Sequence, residues 1–328
     1  MQVLMSAAAY GRVAVSLTAL GGDLDVIVLE ADGGFRRGAE PIDAAEVDPE
    51  VFWVSLDLFR TGQLPGFFQG ILKGTRARWA QSFLAGLDNP AFAAMTAKGV
   101  RLTKSSAQAP PIAEYVLSHA FSLLHPIADQ RAAQDARAWR YIPFREVAST
   151  QWLLVGFGSI GSEIARRLRP FGPRITVARR DLSPEPLADA VIAMSGLGEV
   201  LPRADVVVLA CSLNAETRGL AGPDFFAAMK PGALLINIAR GALVDESALR
   251  AGLDRNQPGH AVLDVFDTEP APAESWLWDH PQVRVTAHCS NAGDGVVARG
   301  DALFLENLRR YLAGEPLLNE ARAADVGP

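Results

Sequence analysis

Residues 153–168, LLVGFGSIGSEIARRL, constrain the fold more than any other stretch of the chain. An apolar run of strand length ends in a G-x-G-x-x-G turn, and Ile160, Ile164 and Leu168 then recur at helical spacing. Each glycine has a physical job. Gly156 makes the tight turn, Gly158 lets the backbone approach a pyrophosphate, and Gly161 lets the helix pack closely on the strand. The helix start offers free N–H groups and a partial positive charge to phosphate. A glycine turn in some other α/β protein is the plain alternative. The flanking strand and amphipathic helix favour a dinucleotide site built on Gly156, Phe157, Gly158, Ser159 and Ile160.

The rest of the chain keeps this rhythm. Residues 174–178, 204–210, 233–238, 259–265 and 283–286 read as strands, with helical stretches between most of them. Earlier, 25–29, 51–56 and 78–82 read as strands, 64–72 as a short helix, and 1–9 as a first strand and the turn after it. Such alternation implies parallel sheets with helices on their faces. Residues 32–41, with Gly33, Gly34, Gly38 and Pro41, read as a surface loop. Residues 83–90 read as a strand running into a turn at its C-terminal edge, where open α/β sheets bind ligands. Pro110 and Pro111 break the pattern and read as a crossing between two domains, followed by a helix over 112–136 broken at Pro126. Residues 296–312 predict an amphipathic helix with Leu303, Phe304, Leu308 and Leu312 on one face.

Composition narrows the function. A chain of 328 residues can hold two domains with sizeable cores. A formal net charge of −6 with no basic block argues against nucleic acid or an anionic membrane as the partner. The apolar runs are strand-sized and none reaches the ~18 residues of a membrane span. The first residues lack the basic n-region of a secretory leader. Cys211 and Cys289 form no C-x-x-C pair, which fits a reducing, cytoplasmic setting and no metal site.

The stretch INIARGALVD, residues 236–245, brings in a resemblance. The pattern N-x-x-R-G-x-x-V-D is met by Asn237, Arg240, Gly241, Val244 and Asp245. D-V-F-x-x-E-P is met by Asp264, Val265, Phe266, Glu269 and Pro270, and a histidine motif by His288 in V-T-A-H. Ala85-Gly86-Leu87-Asp88, Ile112-Ala113-Glu114-Tyr115 and the E-T-R-G-L of residues 216–220 match as well. In these motifs the chain resembles the D-2-hydroxyacid dehydrogenases, which include glyoxylate/hydroxypyruvate reductases, D-lactate dehydrogenases and phosphoglycerate dehydrogenases. The resemblance covers most of the chain and is weakest in residues 1–75. It departs at Ala210 and Ser212, where the family often has histidine and proline, and at Ala287, where a proline usually precedes the active histidine.

The residues make chemical sense apart from the family. Reducing a 2-oxo acid needs a cation for its carboxylate, a proton donor for its carbonyl oxygen, and hydride. Arg240 is the cation, since a guanidinium grips a carboxylate bidentately. His288 is the acid–base group, because imidazole titrates near neutrality. Glu269 would hold that imidazole and favour its protonated form. Alone, Arg240 would read as a surface or capping residue, His288 as structural and Glu269 as the start of a turn. Each falls just after a predicted strand, so the three can converge at one sheet edge. His119, His125, His260 and His280 lack such company and read as structural.

The resemblance implies the remaining expectations. The fold class is α/β, a Rossmann dinucleotide-binding domain over 109–293 inserted into a flavodoxin-like substrate domain made of 1–108 and 294–328. The substrate lies in the cleft, closed by a hinge. Ala85, Gly86 and Leu87 offer backbone N–H groups to the substrate carboxylate. Asp264 holds the nicotinamide carboxamide, and Cys211 helps to wall the adenosine side. Thr217, Ile238, Ala239, Arg240 and His288 complete the cofactor contacts. The expected reaction interconverts a small 2-oxo acid and a D-2-hydroxy acid, with glyoxylate or hydroxypyruvate foremost and a D-lactate or phosphoglycerate type as alternative. Similar proteins are homodimers, and the helix from Ile112 offers a surface. A nicotinamide-sensing, corepressor-like binding protein is the rival from another class. A formate-dehydrogenase-like activity is set aside because that likeness would put glutamine where Glu269 stands.

One cofactor choice is legible in the residues. NAD-binding folds of this type carry an acid about 20 residues past the glycine turn, bound to the ribose hydroxyls. Here the second strand ends in Arg179-Arg180, and two guanidiniums would pair with a 2′-phosphate. NADP is the expected cofactor, with NAD as the alternative and Asp181 as the residue that could serve a ribose.

Overall fold

The structure is a computed structural model describing residues 1–21, 23–322 and 325–326. The chain forms two compact units, one from residues 1–108 and 294–328, the other from 109–293.

The first unit is built on a seven-stranded sheet of β1 (Gln2–Ser6), β2 (Asp25–Leu29), β3 (Phe35–Arg37), β4 (Glu40–Ile42), β5 (Val51–Val54), β6 (Trp79–Ser82) and β7 (Arg101–Thr103). Their order is β4-β3-β2-β1-β5-β6-β7. The five strands from β2 to β7 in that order run parallel, which is the flavodoxin-like arrangement. Strands covered on both faces must be apolar throughout, and Val3, Leu4, Met5, Val51, Phe52, Trp53 and Val54 are all buried. Residues 32–41 are more than a loop. β3 and β4 pair antiparallel across Gly38, with Phe35 opposite Ile42, and extend the sheet beyond β2. Gly38 takes the left-handed conformation (φ 60) that such tight hairpin turns favour. The strands are only three residues long, too short for an alternating pattern. No turn follows β1 either. Ser6 caps the helix Ala7–Leu20 directly, its hydroxyl accepting from the Ala9 N–H.

The C-terminal helix Val296–Leu312 belongs to this unit and buries Phe304 and Leu308, whereas Leu312, expected on the same face, is 42% exposed in the last turn. The Phe304 ring stacks on Trp53 and Trp79. Buried Asn307 donates to Gln81 Oε1 and to the Leu318 carbonyl and accepts from the Leu318 N–H. Thr103 donates to the same Gln81 oxygen and accepts from the Trp79 indole. This network fastens the returning chain end to the sheet.

The second unit holds β8 (Gln151–Val155), β9 (Arg174–Ala178), β10 (Ala190–Ile192), β11 (Val206–Leu209), β12 (Leu234–Asn237), β13 (His260–Leu263) and β14 (Val283–Val285). All run parallel in the order β10-β9-β8-β11-β12-β13-β14. The order reverses between β8 and β11, so the loops leaving those strands part and open a crevice at the sheet's C-terminal edge. β7 and β10 were not anticipated from sequence; both are three-residue edge strands. Pro110 and Pro111 are not a crossing segment. They sit in the first turn of the helix Ala109–Leu124, where no intrahelical N–H is needed. The expected break follows, and a second helix spans Ile127–Asp135. Among the described residues no helix is long and apolar enough to cross a membrane.

Candidate active site

The glycine turn lies where β8 gives way to the helix Ser159–Leu168. Gly156 has φ 99, and a Cβ there would lie 2.5 Å from the Cys211 nitrogen, so the turn and the loop after β11 meet backbone to backbone. A Cβ on Gly161 would lie 2.5 Å from the Gly156 carbonyl oxygen, which is the close packing expected of the third glycine. A Cβ on Gly158 would meet nothing within 4 Å. Gly158 therefore borders open space at the helix N-terminus, and Ser159 beside it is exposed. The residues present fit a pyrophosphate. Ile160 is half-buried against the core. Burial pushes the Cys211 thiol up to about 11, so Cys211 stays neutral at pH 7.

Other expected cofactor residues are turned inward. The Thr217 hydroxyl donates to the Ser212 carbonyl at 2.8 Å and accepts from the Asn214 N–H at 2.9 Å, folding the loop after β11. Ile238 and Ala239 are buried at the end of β12. Arg179 does not stand out from the sheet. Its Nε donates to the Asp181 carbonyl at 2.6 Å, Nη2 to the Ser183 carbonyl at 2.8 Å, and Nη1 to Glu185 Oε2 at 3.1 Å. Its guanidinium lies 5.5 Å from the centre of the Phe157 ring. Arg180 is exposed beside it.

The three expected catalytic residues follow three adjacent strands. Arg240 comes three residues after β12. Buried Asn237 shapes that turn: its amide donates to the Arg240 carbonyl at 2.9 Å, and its oxygen accepts from the Ala239 N–H at 3.1 Å. Gly241 is required next, because a Cβ there would lie 1.8 Å from the Phe266 carbonyl carbon. The Arg240 Nη1 donates to the Ala239 carbonyl at 2.7 Å. Glu269 lies in the segment after β13, six residues past the strand, where Oε1 accepts from the Phe266 N–H at 3.0 Å. Its Oε2 lies 2.8 Å from His288 Nδ1, just past β14. A carboxylate only accepts, so Nδ1 carries the proton and Nε2 is the atom left to exchange one. The imidazole and the carboxylate are both partly exposed.

His288 is one of the few non-glycine residues with positive φ, at 49°. Buried Asp264 holds it there. The His288 N–H donates to the Asp264 carbonyl at 2.8 Å. The Asp264 carboxylate accepts from the Thr286 hydroxyl at 2.6 Å, the Cys289 N–H at 2.9 Å and the Ser290 N–H at 3.0 Å. Since Thr286 donates to Asp264, its oxygen accepts from Tyr115 at 2.7 Å. Burial pushes the Tyr115 phenol up to about 12, so that donor persists at neutral pH. A carboxylate has about four acceptor positions, so at most one of Asp264's remains for a ligand. Sequence reading gave Asp264 to the cofactor and missed Tyr115 and Thr286 as its supports. Both stand in motifs of the resemblance, Thr286 in V-T-A-H and Tyr115 in Ile112-Ala113-Glu114-Tyr115, but nothing in the sequence showed that they meet.

In the first unit, residues 85–87 follow β6. Ala85 and Gly86 are half-buried. The Leu87 side chain lies in the core and its backbone bridges to Val326, so only backbone groups of Leu87 could meet a ligand.

Comparison with known proteins agrees with this architecture. Residues 117–290 match the family described as D-isomer specific 2-hydroxyacid dehydrogenase, NAD binding domain. The chain is 32% identical over 209 residues to D-3-phosphoglycerate dehydrogenase of Bacillus subtilis, covering 63% of this chain and 40% of that protein. It thus spans less than half the length of that relative. It is 35% identical over 170 residues to human glyoxylate reductase/hydroxypyruvate reductase, covering 52% of each. Among solved structures, a D-isomer specific 2-hydroxyacid dehydrogenase from Xanthobacter autotrophicus Py2, in complex with NADPH and MES, is similar over 99% of both chains, with TM-score 0.76 and 28% identity.

Proposed function

The chain belongs to the D-isomer specific 2-hydroxyacid dehydrogenase family, and from that premise we propose that it reduces a small 2-oxo acid to the D-2-hydroxy acid with a nicotinamide dinucleotide. The observation that carries this reading is the His288–Glu269 pair after β14 and β13, with Arg240 following the adjoining β12. The dinucleotide supplies hydride when bound. Arg240 binds the substrate carboxylate through a two-pronged guanidinium. His288 donates from Nε2 to the carbonyl oxygen as that oxygen becomes a hydroxyl, and Glu269 stabilises the imidazolium before donation. In the reverse direction the neutral imidazole takes the hydroxyl proton.

Unit 109–293 is the dinucleotide domain, supported by the glycine turn and the family match, and unit 1–108 with 294–328 is the substrate domain, offering the backbone of Ala85, Gly86 and Leu87 to the substrate carboxylate. Glyoxylate or hydroxypyruvate is the proposed substrate, supported by the likeness to the human reductase. NADPH is the proposed cofactor, supported by Arg179 and Arg180 at the end of β9 and by the NADPH complex of the Xanthobacter relative. The working form is a homodimer. Trp139, Tyr141 and Phe144, within six residues of one another, expose large apolar rings that association would cover. The setting is cytoplasmic, supported by two free cysteines.

The test is a panel of small 2-oxo acids with NADPH and with NADH. Glyoxylate or hydroxypyruvate should give the highest kcat/KM, with NADPH. Preference for pyruvate or 3-phosphohydroxypyruvate would move the protein to the D-lactate or phosphoglycerate type. Cofactor binding without turnover of any acid would favour a sensing protein.

A further inference from the structure

The sequence around β9 shows two arginines, but the folded loop also carries two acids. Arg179, Arg180, Asp181 and Glu185 fall within seven residues, and the segment is formally neutral. Glu185 is the acid whose contact bears on the cofactor. Its Oε2 lies 3.1 Å from Arg179 Nη1, and its Oε1 accepts from the Leu187 N–H at 3.3 Å. The Arg179 and Glu185 side chains are 16% and 18% exposed, so water screens the pair less than it would a surface pair. The same guanidinium faces the Phe157 ring of the glycine turn, which puts it beside the expected dinucleotide site.

We propose that Glu185 limits this chain's affinity for NADP(H): its carboxylate occupies the Arg179 guanidinium and competes with a 2′-phosphate for it. This rests on the dinucleotide reading of the glycine turn. Arg179 has two N–H groups on each terminal nitrogen, and the loop uses one of each. A phosphate could add to the remaining N–H groups, but it would then lie close to the Glu185 carboxylate, and the two anions repel. A ribose hydroxyl carries no charge and meets no such penalty. Glu185 therefore lowers affinity for NADP(H) and leaves affinity for NAD(H) nearly unchanged. Two arginines at a strand end then do not amount to two available cations.

The variant Glu185→Gln removes the charge and keeps one acceptor oxygen for Arg179, leaving the longer 3.3 Å contact from the Leu187 N–H without an acceptor. Calorimetric titration of the full chain with 2′,5′-ADP and with 5′-AMP reads the phosphate directly, without turnover. Affinity for 2′,5′-ADP should rise about three- to tenfold, and affinity for 5′-AMP should change less than about twofold. Glu185→Asp, with the carboxylate drawn back by one methylene, should give a smaller rise and serves if the glutamine variant does not fold. An unchanged or lower affinity of the variants for 2′,5′-ADP overturns the proposal and makes Glu185 a mere support for the loop. The unmodified chain tests the cofactor reading separately. If it prefers NADH while Glu185→Gln gains affinity for 2′,5′-ADP, the reading fails and the role of Glu185 stands. If it prefers NADPH and the variants do not respond, the reading stands and this inference fails.

Discussion

His288 Nδ1 lies 2.8 Å from Glu269 Oε2, although 19 residues of chain separate them. Two loops, after β13 and β14, bring them together. The contact fixes which imidazole nitrogen keeps its proton and which exchanges one.

Glu269→Gln removes that support. The amide offers one acceptor and one donor where the carboxylate offered two acceptors, so the ring is no longer held in one orientation by the contact at Nδ1. Maximal kcat for reduction should fall, with little change in cofactor affinity. An unchanged kcat would remove Glu269 from this role.

Asp264 is predicted to act mainly by positioning the His288 turn. In Asp264→Asn one oxygen becomes an NH₂ group, which cannot accept from the Cys289 or Ser290 N–H. A shift of about 1 Å in a catalytic group can cost about 10²-fold, so kcat should fall by about that factor. Tyr115→Phe deletes only the far end of the chain of donors and should cost about 1 kcal/mol of stability. Comparison of kcat and KM separates this from a direct cofactor role. If Asp264→Asn raises only the KM for the cofactor, the positioning account is wrong.

Asn307 is predicted to be essential for stability in the first unit. Asn307→Leu leaves the Gln81 oxygen and the Leu318 backbone groups short of partners in a buried site. The cost should be about 2–4 kcal/mol, read as a lower Tm or denaturant midpoint. A loss below about 0.5 kcal/mol would show that the chain end is held by apolar packing alone.

Glu246 makes a pH-dependent contribution. Burial, and then the neighbouring Asp267, hold its carboxyl above the usual range. A folded-state carboxyl raised in this way stabilises the fold at low pH, and that contribution is lost as pH rises through its folded value. Glu246→Gln should therefore raise Tm at pH 7 more than at pH 4. Equal shifts at both values would contradict this.

Much of this was legible in the sequence, for identifiable reasons. Strands buried on both faces are plain apolar runs, so β2, β5, β8 and β9 stood out, and the glycines of the turn are demanded by backbone contacts under 3 Å at Gly156 and Gly161. Arg240, Glu269 and His288 were legible because they stand in the motifs that carry the family resemblance, and because reducing a 2-oxo acid calls for a cation and an acid–base group. What sequence could not show was competition between polar groups. Arg179 looked available until the loop folded Glu185 and two carbonyls onto it. Asp264 looked like a ligand-binding acid until three donors from the next loop reached it. The hairpin of β3 and β4 was hidden because three-residue strands carry no period, and Pro110-Pro111 because a helix start and a linker both accept proline.

The most direct measurement is reduction of glyoxylate and hydroxypyruvate with NADPH by the unmodified chain and by His288→Ala, with cofactor binding followed in parallel. The unmodified chain should turn over and form the D-hydroxy acid where the product is chiral. His288→Ala should bind NADPH normally and lose about 10²–10⁴ in kcat. A near-normal kcat in that variant, or no turnover of any 2-oxo acid by the unmodified chain, would contradict the account.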